Sequence, residues 1–312
     1  MERIVKTTIP PEAEGTRLDL YLAARFTYRS RTAWQECIER GEILLNGRRT
    51  RASRLLHAGE TVSLELNGPE AEEPPVRTDY SVLLETRDFL AVAKPPDLPV
   101  HPSGRYFSNT LQRMLHKAFG TAFPVNRLDR ETSGVVLFAR SGAAARRLAE
   151  LFERGNIAKT YLAIVFGDFP EELSAAGFLS ADPASAIAKK RRFTAGPPDG
   201  APESAVCRTE FRLIRRGGGL SLVECRPRTG RLHQIRATLC SLGFPLAGDK
   251  MYGPDETVFL RFIAGTETEA DRALLRMDRQ ALHAAKLEFV SPFTGEFLAI
   301  EAPPPDDFLL LP

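Results

Sequence analysis

PVNRLDRETSG, residues 124–134, sets one carboxylate, Asp129, between Arg127 and Arg130 and then runs into GVVLFAR (134–140). That apolar run has the length of a buried strand. Ser141 follows as a helix cap, and Gly155 stops the helix that the pattern predicts over 142–154. A polar turn feeding a strand and then a helix places Asp129 at the strand's entry. No second acid adjoins it, and no histidine or serine completes a familiar catalytic set. On its own the island reads first as a turn in which Asp129 caps nearby backbone amides and pairs with an arginine.

Strand signals recur on both sides. DFLAVAKPP (88–96) runs into a proline-stiffened loop, and SNTLQRMLHKAF (108–119) is a capped helix. KTYLAIVFG (159–167), LSLVECRPR (220–228), AAKLEFV (284–290) and EFLAIEAP (296–303) read as further strands. Mixed strands and helices in this order predict an α+β body with a mixed or antiparallel sheet.

Upstream, NGPEAEEPPVRTDY (67–80) has no apolar periodicity and reads as a linker. It divides a head over 1–67 from a body over 80–312, with 68–79 between. In the head, Leu18, Tyr21, Leu22 and Phe26 keep helical spacing, and a second helix is expected from a Ser30 cap to Gly41. EILLNGRRT gives a strand and an Asn-Gly turn, and GETVSLEL an alternating strand. Residues 25–54 hold eight arginines against three glutamates. Such a concentration is the electrostatic footprint of a nucleic-acid binder, although a solvated arginine face reads the same on charge alone.

Composition narrows the classes. The 312 residues are 43% hydrophobic and 26% charged, as in an ordinary globular chain. No run of about 18 apolar residues predicts a membrane span, and the N-terminus lacks a signal-like apolar stretch, so a cytoplasmic protein is expected. Cys37, Cys207, Cys225 and Cys240 are too scattered for a zinc site, and the five histidines show no ligand spacing. No metal is expected. Net charge is only +2, but arginine outnumbers lysine 34 to 8. Arginine's planar fork suits phosphates and base edges, while a GC-rich genome would enrich it equally.

Two further islands stand out. Lys159-Thr-Tyr161 lies on a strand, where a lone tyrosine is usually packing. In RTGRLHQIRATLCSLGFPLAGDKMYG (228–253), a helix over 231–242 would pack Leu232, Ile235, Leu239 and Leu242. His233, Arg236 and Cys240 would share another face, leaving one guanidinium for a partner or a structural ion pair. Arg226, Arg228 and Arg231 crowd the same stretch and suit phosphates.

These motifs, in this order, resemble an RluA-type pseudouridine synthase over nearly the whole body: LAVAKPPDLPVHPSG, NRLDRETSGVVLFARS, KTYLAIVFG, TGRLHQIR, GFPLAGDKMYG and LHAAKLEF. The head is similar to the αL RNA-binding domain of a small-subunit ribosomal protein. It shares Arg17-Leu18-Asp19, Ser30-Arg31, Gly41, Asn46-Gly47 and Gly59-Glu60. The resemblance implies an isomerase that turns uridine into pseudouridine without any cofactor. The pairing of head and body is that of members acting on large-subunit ribosomal RNA, with transfer RNA the alternative.

Carried over residue by residue, the catalytic aspartate falls on Asp129, the active-site tyrosine on Tyr161 and the aspartate-paired basic residue on Arg236. Arg127 falls on the arginine that helps displace the target base. RNA contacts are expected from Arg228, Arg231, His233 and Gln234, and in the head from Arg29, Arg31, Arg48, Arg49, Arg51 and Arg54. Membrane and DNA are not expected as partners, and the default state is a monomer. One ionised carboxylate suffices as nucleophile for such a reaction, and a neighbouring guanidinium keeps it ionised.

The chain departs from the family pattern at Asn126, Thr238 and Ser291, each standing where a histidine is usual. The expectation is that the three meet near the site and bear on the choice of uridine. Two rival classes remain open: a catalytically silent RNA-binding or ribosome-assembly factor, and a nucleoside hydrolase. The silent factor would not need Asp129, Tyr161 and Arg236 together. The hydrolase would need a second carboxylate, and Glu131, only two residues from Asp129, is a poor one if the segment is extended.

Overall fold

A computed structural model describes residues 3–26, 31–66, 73–103, 106–198, 200, 202 and 205–308. Two compact units emerge, residues 1–76 with 101–113 and residues 77–100 with 114–312.

The first unit carries β1 (Arg3–Thr8), α1 (Leu18–Arg25), α2 (Arg31–Arg40), β2 (Ile43–Leu45), β3 (Arg48–Arg49) and β4 (Thr61–Leu66), with sheet order β1-β4-β2-β3. Asn46 and Gly47 both take positive φ, 51° and 76°, as the two-residue turn between β2 and β3 requires. Leu18, Tyr21 and Leu22 of α1 and Trp34, Cys37 and Ile38 of α2 pack with Ile43, Val62 and Leu64 of the sheet. Asp19 is wholly buried beneath them and accepts hydrogen bonds from Arg17, Arg31 and Gln35. Arg17 foremost, then Arg31 and Gln35, hold it well below the ordinary carboxylate range against the opposing effect of burial. Ser30, the expected cap of α2, lies outside the described residues.

The second unit is one mixed sheet. Its strands are β5 (Ser81–Glu85), β6 (Phe89–Lys94), β7 (Phe123–Pro124), β8 (Ser133–Ala139), β9 (Ala158–Phe166), β10 (Glu172–Ala181), β11 (Arg191–Thr194), β12 (Val206–Gly217), β13 (Leu220–Pro227), β14 (Leu282–Val290) and β15 (Phe297–Glu301). The helices are α4 (Gly142–Glu153), α5 (Gln234–Ser241), α6 (Thr257–Ala264) and α7 (Glu269–Leu275), while the division between units runs through α3 (Leu111–Phe119). Strand order is β11-β10-β12-β13-β9-β14-β8-β6-β5, with β15 on β14 and β7 on β8.

Neighbours in this sheet are antiparallel except β8 and β14, which touch in parallel at Ser133↔His283 and Gly134↔Ala284. That junction explains the glycine ending PVNRLDRETSG. Gly134 has φ +117°, and a Cβ there would lie 2.1 Å from the Ala284 carbonyl oxygen. Only glycine permits this approach. Every residue of β8 is buried, so an unbroken apolar run replaces alternation. Ser141 caps α4 by accepting from Ala144 N at 3.1 Å.

Past the junction β14 leaves β8, and β7 takes its place. Asn126 fills the split as a backbone mimic: its Oδ1 accepts from Leu137 N at 2.7 Å and its Nδ2 donates to the Val135 carbonyl at 3.4 Å. Ser291 closes the turn after β14, accepting from Phe293 N and Thr294 N. Thr238 is buried within α5, its hydroxyl without a hydrogen-bond partner among the described residues. The three positions share no hydrogen bond among the described residues, each side chain serving its own strand, turn or helix.

Helix α5 starts at Gln234, later than its periodicity suggests, because His233 adopts left-handed φ (56°). Leu232 consequently precedes the helix and is 43% exposed, while Ile235 and Leu239 still pack inward.

Candidate active site

The turn before β8 is built to present Asp129. Its carbonyl accepts from Thr132 N at 3.1 Å, and three charged side chains pin the turn from behind. Lys94, wholly buried at the end of β6, donates to the carbonyls of Pro95, Leu98 and Arg130 at 2.9, 2.8 and 3.0 Å. Burial pushes its pKa down to about 7. Glu131 accepts from Lys250 at 3.2 Å, Arg130 at 2.9 Å and Gln280 N at 3.1 Å. Arg279 Nη1 donates to the Glu131 carbonyl at 3.2 Å. With its charge consumed by two cations, and lying outside the residues that line the pocket, Glu131 is no second acid.

On the pocket side, Nη1 of Arg236 donates to Oδ2 of Asp129 at 2.6 Å. The other edge of that guanidinium is bidentate to Asp249, at 2.6 Å from Nε and 2.9 Å from Nη2. Its face lies 4.9 Å from the Tyr252 ring centroid. Asp249 is buried and also accepts from Met251 N and Tyr252 N. Gly248 makes this loop possible, since a Cβ there would come within 1.7 Å of the Arg279 carbonyl oxygen.

Burial alone would raise the pKa of Asp129 and favour its neutral form. The charge of Arg236 foremost, with hydrogen bonds from Arg236 and Gln280, overcomes it, and the pKa falls below the usual carboxylate range. Gln280 also bonds the Thr132 hydroxyl, and its Nε2 lies 3.5 Å from Asp129 Oδ2. Both contacts engage Oδ2. Oδ1 has no hydrogen-bond partner among the described residues, and His233 Nε2 lies 3.9 Å from it.

Tyr161 sits on β9 opposite Ala284 and Cys225 and lines the same pocket. Burial, with the Asp129 charge second, pushes its phenol up to about 12, so it stays protonated at neutral pH. The pocket has a volume of about 110 Å³, with Arg127 and Lys159 also on its walls. Arg127 is exposed and without a polar partner among the described residues. Lys159 is tied to the Thr229 carbonyl at 3.0 Å.

Asp129, Tyr161, Arg236, Arg127, Arg231, His233 and Gln234 all border this pocket. Gln234 has nothing left to offer RNA. It is 4% exposed, donates to Arg208 O and Thr209 Oγ1, and accepts from Thr229 Oγ1 and Arg231 N. Its work is to hold the 229–231 loop. Arg231 is exposed with Nε on the Val206 carbonyl, whereas Arg228 lies off the pocket and pairs with Glu210 at 2.8 Å. In the head unit, Arg48, Arg49 and Arg51 are exposed without ion pairs among the described residues. The Arg49 guanidinium lies over Gly41 at the C-terminal end of α2, where the helix dipole favours a cation. Arg31 is committed to Asp19 and Arg54 reaches Glu60 at 3.4 Å, while Arg29 lies outside the described residues.

Asp249, Gln280, Tyr252 and Lys94 were not singled out from sequence. The signal available was charge or amide in apolar surroundings: a lysine ending FLAVAK, and the Asp of LAGDKMYG.

Comparison with known proteins agrees with this architecture. Residues 88–241 match the family described as RNA pseudouridylate synthase. Ribosomal large subunit pseudouridine synthase D of Xanthomonas campestris is 34% identical, over 97% of this chain and 89% of its own length. A mitochondrial tRNA pseudouridine(32) synthase of Saccharomyces cerevisiae is 30% identical over 84% of this chain, which spans 55% of that protein. Human RNA pseudouridylate synthase domain containing 1 superposes with TM-score 0.58 at 25% identity, covering 74% of this chain and 86% of that one. With a shared sheet and a similarity that runs through both units, the chain belongs to the RNA pseudouridylate synthase family, isomerases that convert uridine in RNA to pseudouridine.

Proposed function

We propose that Asp129 is the nucleophile of this isomerisation, with Arg236 holding it ionised and Tyr161 moving a proton, and that the substrate is large-subunit ribosomal RNA. The observation that carries the chemistry is the asymmetry of Asp129. Oδ2 is fixed by Arg236, while Oδ1, in the pocket wall, has no partner within hydrogen-bond reach among the described residues. A carboxylate so held is ionised, aimed and unspent.

The pocket is far below the ~300–1,000 Å³ of sites for drug-sized ligands, so it suits one extruded base. In this reading Arg127, exposed at the pocket, fills the stack the uridine leaves. Asp129 Oδ1 bonds to C1′ as the C1′–N1 bond breaks, the base turns, and C5 bonds to C1′ as the Asp129–C1′ bond is released. Tyr161, protonated at rest, gives its phenolic proton toward N1 as it takes the one leaving C5. Atoms balance without a co-reactant.

The head supports the ribosomal reading through Arg48, Arg49 and Arg51, a phosphate-binding surface in the manner of an αL domain. The protein then acts as a cytoplasmic monomer. A similar yeast protein named for transfer RNA makes that RNA the competing substrate. Pseudouridine maps of RNA from cells with and without the protein decide between them. Loss of a site in large-subunit RNA is expected, and loss confined to transfer RNA would overturn the substrate assignment. Asp129→Asn should abolish turnover with RNA affinity retained; substantial turnover in that variant would remove Asp129 from its role.

A further inference from the structure

His233 belongs to the pocket but not to the chemistry described above. It is the residue before α5, and its φ of 56° is a conformation that non-glycine residues rarely adopt. What over-determines it is Tyr252, whose ring meets the imidazole edge-on at 5.5 Å between centroids. The Tyr252 oxygen lies 3.0 Å from His233 Nδ1 and accepts from Arg191 N at 2.8 Å.

These contacts set the tautomer. Tyr252 is fully buried, so a phenolic proton without an acceptor there would be costly. Donating it to Nδ1 satisfies both groups and leaves the imidazole proton on Nε2. That N–H borders the pocket, 3.9 Å from Asp129 Oδ1, with no acceptor in reach among the described residues. The imidazole side chain is only 11% exposed. Burial first and then Arg236 lower its pKa to about 4, against the opposing charges of Asp129 and Asp249, with Arg191 adding to the lowering. The ring is therefore neutral at working pH and cannot quench Asp129 by forming an ion pair.

We propose that the Nε2–H of His233 is a substrate-contacting donor, hydrogen-bonded during the reaction to a carbonyl oxygen of the target uracil. This rests on the synthase reading of the same pocket. When the C1′–N1 bond breaks, the detached pyrimidine carries negative charge spread over its carbonyl oxygens. A neutral, pre-oriented N–H stabilises that charge without protonating the base, and it fixes which edge of the ring faces Asp129 as the base turns. No bond to His233 forms or breaks.

The test compares His233→Phe, which keeps a ring against Tyr252 but has no donor, with His233→Gln, whose Nε2 reaches nearly the same place. Turnover is read as tritium released from C5-labelled RNA, alongside RNA affinity and thermal midpoint. His233→Phe should lower kcat roughly 10²-fold with KM and affinity within about twofold, as for loss of one transition-state donor. His233→Gln should recover part of kcat. In the unaltered protein, ¹⁵N shifts of the ring should report the neutral Nε2–H form at pH 7, which keeps the proposal testable if His233→Phe fails to fold. Full kcat in His233→Phe, or an Nδ1–H ring, overturns the proposal while the synthase reading stands. An unaltered protein that isomerises no RNA would instead defeat the reading beneath it.

Discussion

Arg236 stands between two carboxylates, giving one nitrogen to Asp129 at 2.6 Å and its bidentate edge to buried Asp249. A guanidinium facing Asp129 alone could pair with both of its oxygens. Asp249 occupies the edge that such pairing needs, so Asp129 is kept ionised through one oxygen while the other remains open. Asp249→Asn should therefore impair catalysis and stability together. Breaking a buried charge pair costs about 3–5 kcal/mol, readable as a lower urea midpoint. A variant as stable and as active as the parent would reduce Asp249 to a bystander.

The β8–β14 junction predicts a sharp contrast between two glycines. Gly134→Ala places a Cβ on the Ala284 carbonyl in a backbone region that L-residues avoid, and should cost at least about 3 kcal/mol or prevent folding. Gly142→Ala, with open space at its Cβ in the first turn of α4, should be neutral or stabilise by up to about 1 kcal/mol. Equal effects in thermal melts would contradict the assigned register.

Two buried histidines predict an acid-side loss of stability. His233 and His283 both have pKa values lowered to about 4 by burial. His283 is held by Ser133 and the Ala302 carbonyl. Since the unfolded chain protonates near 6.5, the folded state is favoured fully above that pH and loses the advantage as pH falls toward 4. Each site contributes up to roughly 3 kcal/mol. Denaturation midpoints measured from pH 7 to 4.5 should fall steadily, and His283→Gln should flatten the slope. A flat profile in the parent would mean that neither ring is sealed from water.

The head arginines make a claim about RNA. Arg48→Glu with Arg51→Glu should weaken RNA binding and make log affinity shallower against log salt by about one per lost phosphate contact. Turnover at saturating RNA should hold. An unchanged salt slope would leave these arginines merely solvated.

Much of this was legible because local pattern and global fold agree. The apolar run GVVLFA of β8, the Ser141 cap and the Asn46-Gly47 turn each announce one structure. β12 is hard to read although VCRTEFRL alternates up to the bulge after Leu213, because its outward arginines mask the inward Cys207, Thr209, Phe211 and Leu213. α5 began late since one left-handed residue, held by a tyrosine far along the chain, overrides helical periodicity. The site shows the same division. Asp129, Tyr161 and Arg236 stand in motifs, whereas Asp249 and Gln280 acquire meaning only when loops distant in sequence close around Arg236 and Asp129.

The most direct measurement is the fate of the hydrogen on C5 of uridine. Forming a carbon–carbon bond between C5 and C1′ must expel it to solvent. Ribosomal RNA transcribed with tritium at uridine C5 should release label to water when mixed with this protein, with chain length and mass otherwise unchanged. The release should vanish in Asp129→Asn. Free labelled uracil would mean hydrolysis, and intact label on both ribosomal and transfer RNA from the source cell would contradict the isomerase assigned to this pocket.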